Sequence, residues 1–160
     1  MADTAYKTIV LEGENLVTRE AIANAAITPG HLIELMSTGK VRVHANAAQN
    51  AVPMFAVEDD LQGKDITDAY AAAARVKYVY PRRGDVIYAL LADGQSASIG
   101  SFLESAGNGT LQVHVADIAE SKEAQTIYTM PIVAQAIEAV DMSGSSGADP
   151  TTARIKVRIV

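Results

Sequence analysis

The sequence predicts an all-β or mainly β chain, a small antiparallel barrel or sandwich with long loops and at most one or two short helices. Three observations carry this. Several segments alternate strictly between apolar and polar residues. Glycine- and proline-containing turns separate them. Long amphipathic helices between strands, the mark of a parallel α/β fold, do not appear.

The alternation is clearest in Lys40-Val41-Arg42-Val43-His44, in Leu111-Gln112-Val113-His114-Val115 and in Arg154-Ile155-Lys156-Val157-Arg158-Ile159. Period two with β-branched residues is the pattern of a strand with one face buried. It places His44 and His114 on the polar faces. Further strands are expected over 7–11, 31–36, 54–58, 75–80, 85–91, 99–104 and 132–140. Ser37-Thr38-Gly39-Lys40 is short enough to close a hairpin, and Pro81-Arg82-Arg83-Gly84, Ala92-Asp93-Gly94 and Gly107-Asn108-Gly109 supply further turns. Two segments have helical composition, 18–26 and the alanine-rich 67–74. The Ser/Gly-rich stretch 142–152 reads as an exposed, mobile loop.

With 160 residues, the chain has the length of one domain, and 49% hydrophobic residues suffice for a core. There is no cysteine and no tryptophan. Disulfides and cysteine-ligated zinc are therefore excluded, and the expected site of synthesis is the cytoplasm. No apolar run approaches the roughly 18 residues of a membrane span, and the start lacks signal-peptide character. A net charge of −6 argues against sequence-independent binding of nucleic acid. No membrane or nucleic-acid partner is expected.

No catalytic residue, cofactor or metal is expected either. His31, His44 and His114 show no spacing that would converge on an ion. Glu58-Asp59-Asp60 lacks the spaced oxygens of a calcium loop and reads as a solvated turn. Gly63-Lys64-Asp65 lacks the frame of a phosphate loop, and no Gly-x-Ser-x-Gly elbow is present. Arg83-Gly84-Asp85 and Asn108-Gly109-Thr110 are read as turns. Tyr78 and Tyr80, two apart, are read as a core or interface face.

Several stretches in order resemble the head-decoration (cement) proteins of tailed bacteriophages. They are Ile27-Thr28-Pro29-Gly30-His31-Leu32-Ile33-Glu34, then Met54-Phe55-Ala56-Val57-Glu58, then Arg75-Val76 and Gly84-Asp85-Val86-Ile87-Tyr88-Ala89-Leu90-Leu91. The close is Ala136-Ile137-Glu138-Ala139-Val140-Asp141, a loop, and Ala153-Arg154-Ile155-Lys156-Val157-Arg158-Ile159-Val160. Order and spacing carry the likeness, which covers 27–160; near residue 73 the chain has alanines where that pattern has glycine. The resemblance implies a decoration domain over 27–160, preceded by an N-terminal arm or extension over 1–26. It also implies a structural virion protein: a homotrimer on the outer capsid surface at three-fold and quasi-three-fold positions, bound to the major capsid protein and stabilising the shell. The competing expectation is a trimeric receptor- or carbohydrate-binding module of a phage tail or fibre. Candidate capsid or inter-subunit contacts are Tyr6, Lys7, Ile9 and Leu11 in the strand-competent arm, and the arginines Arg19, Arg82 and Arg83, whose guanidinium groups can pair bidentately with carboxylates.

Overall fold

A computed structural model describes residues 6–115, 129–144 and 153–160. The chain is mainly β. Its strands are β1 (Val10–Glu12), β2 (Val17–Ile22), β3 (Ile33–Leu35), β4 (Val41–Val43), β5 (Phe55–Ala56), β6 (Arg75–Tyr80) and β7 (Val86–Leu91). They continue with β8 (Ser96–Ala97), β9 (Phe102–Ser105), β10 (Leu111–Val113), β11 (Ile132–Ala136), β12 (Val140–Asp141) and β13 (Ala153–Ile159). Among the described residues, the only helical element is a 3-10 turn at Asp60–Gln62.

Five strands close a barrel in the order β7-β10-β9-β11-β13 and back to β7. The seam between β7 and β13 is a six-pair antiparallel ladder from Ala153 opposite Leu91 to Arg158 opposite Val86. Along the other edge of β7, β10 reaches only Leu91. β1 fills the rest of that edge, pairing with Val86 and Ile87 across a bulge. The Tyr88 amide donates to the Ile9 carbonyl at 2.8 Å. An unpaired backbone edge over a barrel core would be costly, and the N-terminal segment satisfies it. Inward side chains Ile9, Ile87, Leu91, Leu103, Leu111, Ile155 and Val157 are fully buried, as the period-two pattern requires.

A second body packs beside the barrel. It contains the sheet β2-β6-β5 and the hairpin β3–β4, tied together by single bridges: Ala23 with Val41, Ile27 with Tyr70 and Leu32 with Phe55. β6 lies between two cores. Val79 faces the barrel-side cluster, whereas Val76 and Tyr78 face a smaller cluster of Ala23, Ile27, Ile33, Val41, Met54 and Tyr70. Tyr78 thus falls on a core face, with its ring edge-on to Tyr80 at 5.7 Å.

Several expectations change. The segment 18–26 contains a strand, β2, paired over six residues with β6, and 67–74 forms turns. The 132–140 run is two strands: after Ala136 the chain turns so that the Ile137 amide donates to the Lys156 carbonyl and the Glu138 carboxylate accepts from the Lys156 amide. Met142, assigned to the loop, is buried in the barrel-side core. Residues 145–152 of that loop lie outside the described residues. Within 1–26, β1 and β2 are members of sheets formed with β7 and β6. Gly109 shows why the Asn-Gly turn is needed. Its φ is +81°, and a Cβ there would lie 2.8 Å from Val43 Cβ, so the β9–β10 turn can approach β4 only without a side chain.

Candidate functional site: interaction surfaces

The three histidines have separate local partners. His31 Nδ1 accepts from the Thr28 amide at 3.1 Å. Burial, and then the nearby Arg154 guanidinium, push its pKa down to about 4. His44 was expected on a solvent face but is buried, with Nδ1 2.8 Å from Ser105 Oγ and Nε2 3.2 Å from the Asn50 carbonyl. His44 meets the end of β9 at Ser105 and is covered there, although alternation put it on a polar face. His114 Nδ1 lies 2.5 Å from Glu104 Oε2, and Gln112 Nε2 donates to Glu104 Oε1 at 2.9 Å. Among the described residues, no three His, Asp or Glu side chains gather where they could hold a metal ion.

The acidic run is divided among separate tasks. Glu58 accepts from the Ile9 amide at 3.1 Å, fastening the first strand. Asp60 pairs with Lys77 Nζ at 2.6 Å. Its carboxyl is held below the usual range by that lysine. A shallow cleft beside the run, between Asp59, Lys64, Asp68, Tyr70 and Arg75, mixes charges of both signs and has no fixed polarity.

The N-terminal contact candidates lie along the barrel wall. Tyr6 is exposed and stacks edge-on with Tyr88 at 5.4 Å, with Lys156 Nζ 5.6 Å from its ring. Lys7 is exposed, Leu11 is half-buried and Ile9 is fully buried. Ile9 anchors the segment to its own barrel. Arg19 is exposed on β2 opposite Tyr78. Arg82 and Arg83 project from the turn between β6 and β7, which Asp85 pins by accepting from the Arg82 amide at 2.6 Å. No ion pair engages Arg19, Arg82 or Arg83 among the described residues.

Arg154 was legible only as part of a strand. From β13 it donates to the Pro29 carbonyl at 2.9 Å and to the Ile66 carbonyl at 2.5 Å, and its guanidinium lies 5.8 Å from the Tyr88 ring centre. It clamps the β2–β3 and β5–β6 loops of the second body onto the barrel. Gly30 is required there, since a Cβ would sit 2.5 Å from the arginine Nη1.

With Tyr80 as one wall, a cleft of about 280 Å³ opens between the β3–β4 hairpin and the end of β6. Leu35, Val52 and Met54 line it with Glu34, His44 and Asn50. Leu35 and Val52 are 54% and 59% exposed, and Val17, opposite Tyr80 on the neighbouring strand, is 45% exposed. This groups apolar side chains at the surface around one carboxylate.

No family model matches the chain, and no curated protein matches it. Among solved structures it is similar to the N base of head fiber gp8.5 of bacteriophage phi29. The two share 11% identity and a TM-score of 0.51, over 91% of this chain and 94% of that one. At that identity the likeness shows a common fold. The shared region includes nearly all of this chain, hence both the barrel and most of the second body.

Proposed function

We propose that this chain is a structural, non-enzymatic protein of a tailed-phage particle, one that binds the outside of the capsid as a homotrimer and stabilises the shell. The observation that carries the reading is a fold shared along almost the whole chain with part of a phage head fibre. The order of motifs that resembles phage decoration proteins points the same way. The surface is consistent with it: arginines without an ion pair among the described residues, an apolar cleft and strand edges lie apart on the surface, and spread contacts suit a cement protein better than a single deep pocket. A protein that binds the assembled lattice and not its loose subunits stabilises the lattice by mass action. Three weak attachments on one trimer add by avidity. On this reading the major capsid protein and further copies of the chain are its partners, without nucleic acid or membrane.

The test is co-sedimentation of purified protein with undecorated heads, followed by cryo-EM of the decorated particles. Density at three-fold positions and a raised temperature of head disruption are expected. Absence from heads under all salt conditions would overturn the proposal. The neighbour's membership of a fibre favours a second reading, a receptor- or carbohydrate-binding module. Sugar sites usually stack on aromatics, and the only exposed large aromatics among the described residues are Tyr6 and Phe102. Binding on a glycan array, with none to heads, would select this second reading.

A further inference from the structure

We propose that the cleft beside Tyr80 docks a second copy of this chain, whose Arg82–Arg83 turn enters beside Glu34. This deepens the reading given above and rests on it in one respect, that copies of the chain sit side by side. The cleft offers the two things an arginine-bearing turn needs. Leu35 and Val52, both exposed, provide apolar surface for the aliphatic stems of the side chains. Glu34 provides an anion with unused capacity. Its Oε1 accepts from Arg42 Nε at 2.7 Å and from the Ala45 amide at 3.3 Å. Among the described residues its Oε2 approaches only His44 Nε2, at 3.7 Å, beyond hydrogen-bonding range. Among the described residues one carboxylate oxygen is thus left for an incoming guanidinium, and the half-buried Tyr80 ring lines the same cleft.

The other half of the contact is present on the same molecule. Arg82 and Arg83 are exposed and without an ion pair among the described residues, in a turn fixed by Asp85. A fixed turn loses little conformational freedom on docking. Beside the cleft, β2 pairs only with β6 in its sheet, and Val17 to Glu20 are exposed on it. A neighbouring chain seated there would also cover that open edge. In the trimer of the reading above the contact is taken as heterologous, the turn of each chain entering the cleft of the next. Repetition of a heterologous contact closes a ring when its rotation allows, and a three-membered ring is the smallest.

The absence of cysteine gives a clean background for the test. The double variant Leu35→Cys/Arg82→Cys, in the full chain, is oxidised free in solution and again on heads, then run without reductant. Inter-chain bridging requires the two positions to come within disulfide reach across copies. Covalent dimers and trimers are expected from the double variant. Each single variant is expected to stop at dimers. A double variant that yields nothing larger than one chain, in both settings, overturns the docking. If that same protein still sediments as a trimer or still decorates heads, the reading of the chain as a shell protein survives the failure. The second variant, Leu35→Glu/Val52→Glu, alters two exposed side chains and should keep the wild-type circular dichroism and Tm. A rise of at least 10-fold in the self-association Kd supports the proposal. Unchanged self-association with loss of head binding overturns it and assigns the cleft to the shell.

Discussion

The barrel and the second body are both β, yet they are held together differently. The barrel is held by long ladders: six continuous pairs join β7 and β13, and a filled row of aliphatic side chains lies inside. The second body has one ladder of equal length, β2 with β6, but it joins its short hairpin to that sheet by isolated bridges, and its core mixes alanine, tyrosine and methionine with a few branched residues. Ladders and aliphatic rows make many contacts at once, so a local fault there is shared by the whole barrel. In the second body, single hydrogen bonds and single backbone conformations carry more of the fit. At the seam where the two meet, Leu32, Phe55 and Val79 join the barrel-side core, and Arg154, Gly30, His31 and Gly109 add close-range fits to that packing.

The sharpest way to break this contrast is at the barrel. Ile155→Ala removes a fully buried side chain from β13 and should cost about 2–5 kcal/mol of stability, lowering Tm by several degrees. Denaturant unfolding checks this. A cost below about 1 kcal/mol would mean that the barrel is not the stable part of the molecule.

The seam should respond to acid. His31 has a folded pKa of about 4, below its ordinary 6.5, because burial and Arg154 disfavour the charged ring. Above pH 6.5 the ring is neutral in both states and no penalty arises. As pH falls from 6.5 towards 4, the unfolded chain takes up a proton that the folded chain refuses, so stability declines through that window by a few kcal/mol at most, about 1.4 per unit of pKa difference. His31→Gln should flatten that decline when unfolding is followed from pH 7.5 to 4. An unchanged slope would place the acid sensitivity elsewhere.

Smaller effects are expected inside the second body. Tyr70 is buried, and its hydroxyl donates to the Val57 carbonyl at 2.7 Å. Burial raises its pKa to about 12. Tyr70→Phe removes that bond and leaves the carbonyl unpaired, costing about 1–2 kcal/mol by chemical denaturation. A neutral result would show the carbonyl satisfied by water.

Ala73 is the mildest case. It sits at φ +64°, a left-handed conformation that costs an L-residue about 1–2 kcal/mol, while glycine adopts it freely. Ala73→Gly should be stabilising by up to about 1 kcal/mol, after the larger entropy of the unfolded glycine chain is set against the relieved strain. Destabilisation would mean that the methyl group makes a contact worth more than the strain. The resemblance to phage decoration proteins pointed to glycine near this position, and the backbone explains why.

Periodicity alone made the class of fold and most barrel strands legible. The run from Arg154 to Ile159 alternates because it has one face in a core, and that constraint is written residue by residue; β6, between two cores, carries apolar residues on both faces. β2 was not legible. Its residues Val17 to Glu20 are exposed, so selection for burial left no alternation, and Arg, Glu and Ala there have helical preferences. Pairing with β6 decides its conformation. The same reason hid the role of Ile9: an apolar residue in a strand-competent segment declares that it will pair, but not with which chain. His44 and Met142 are buried because distant segments, the β9 turn and the β8–β12 pair, fold over them. The sequence by itself determined the strand-and-turn vocabulary, the absence of disulfides and the net acidity. Tertiary structure decided barrel closure, the fastening of the first strand to β7, and the grouping of Leu35, Val52 and Tyr80 into one cleft. Those outcomes depend on which segments meet across long separations in the chain, and no local pattern of residues encodes that.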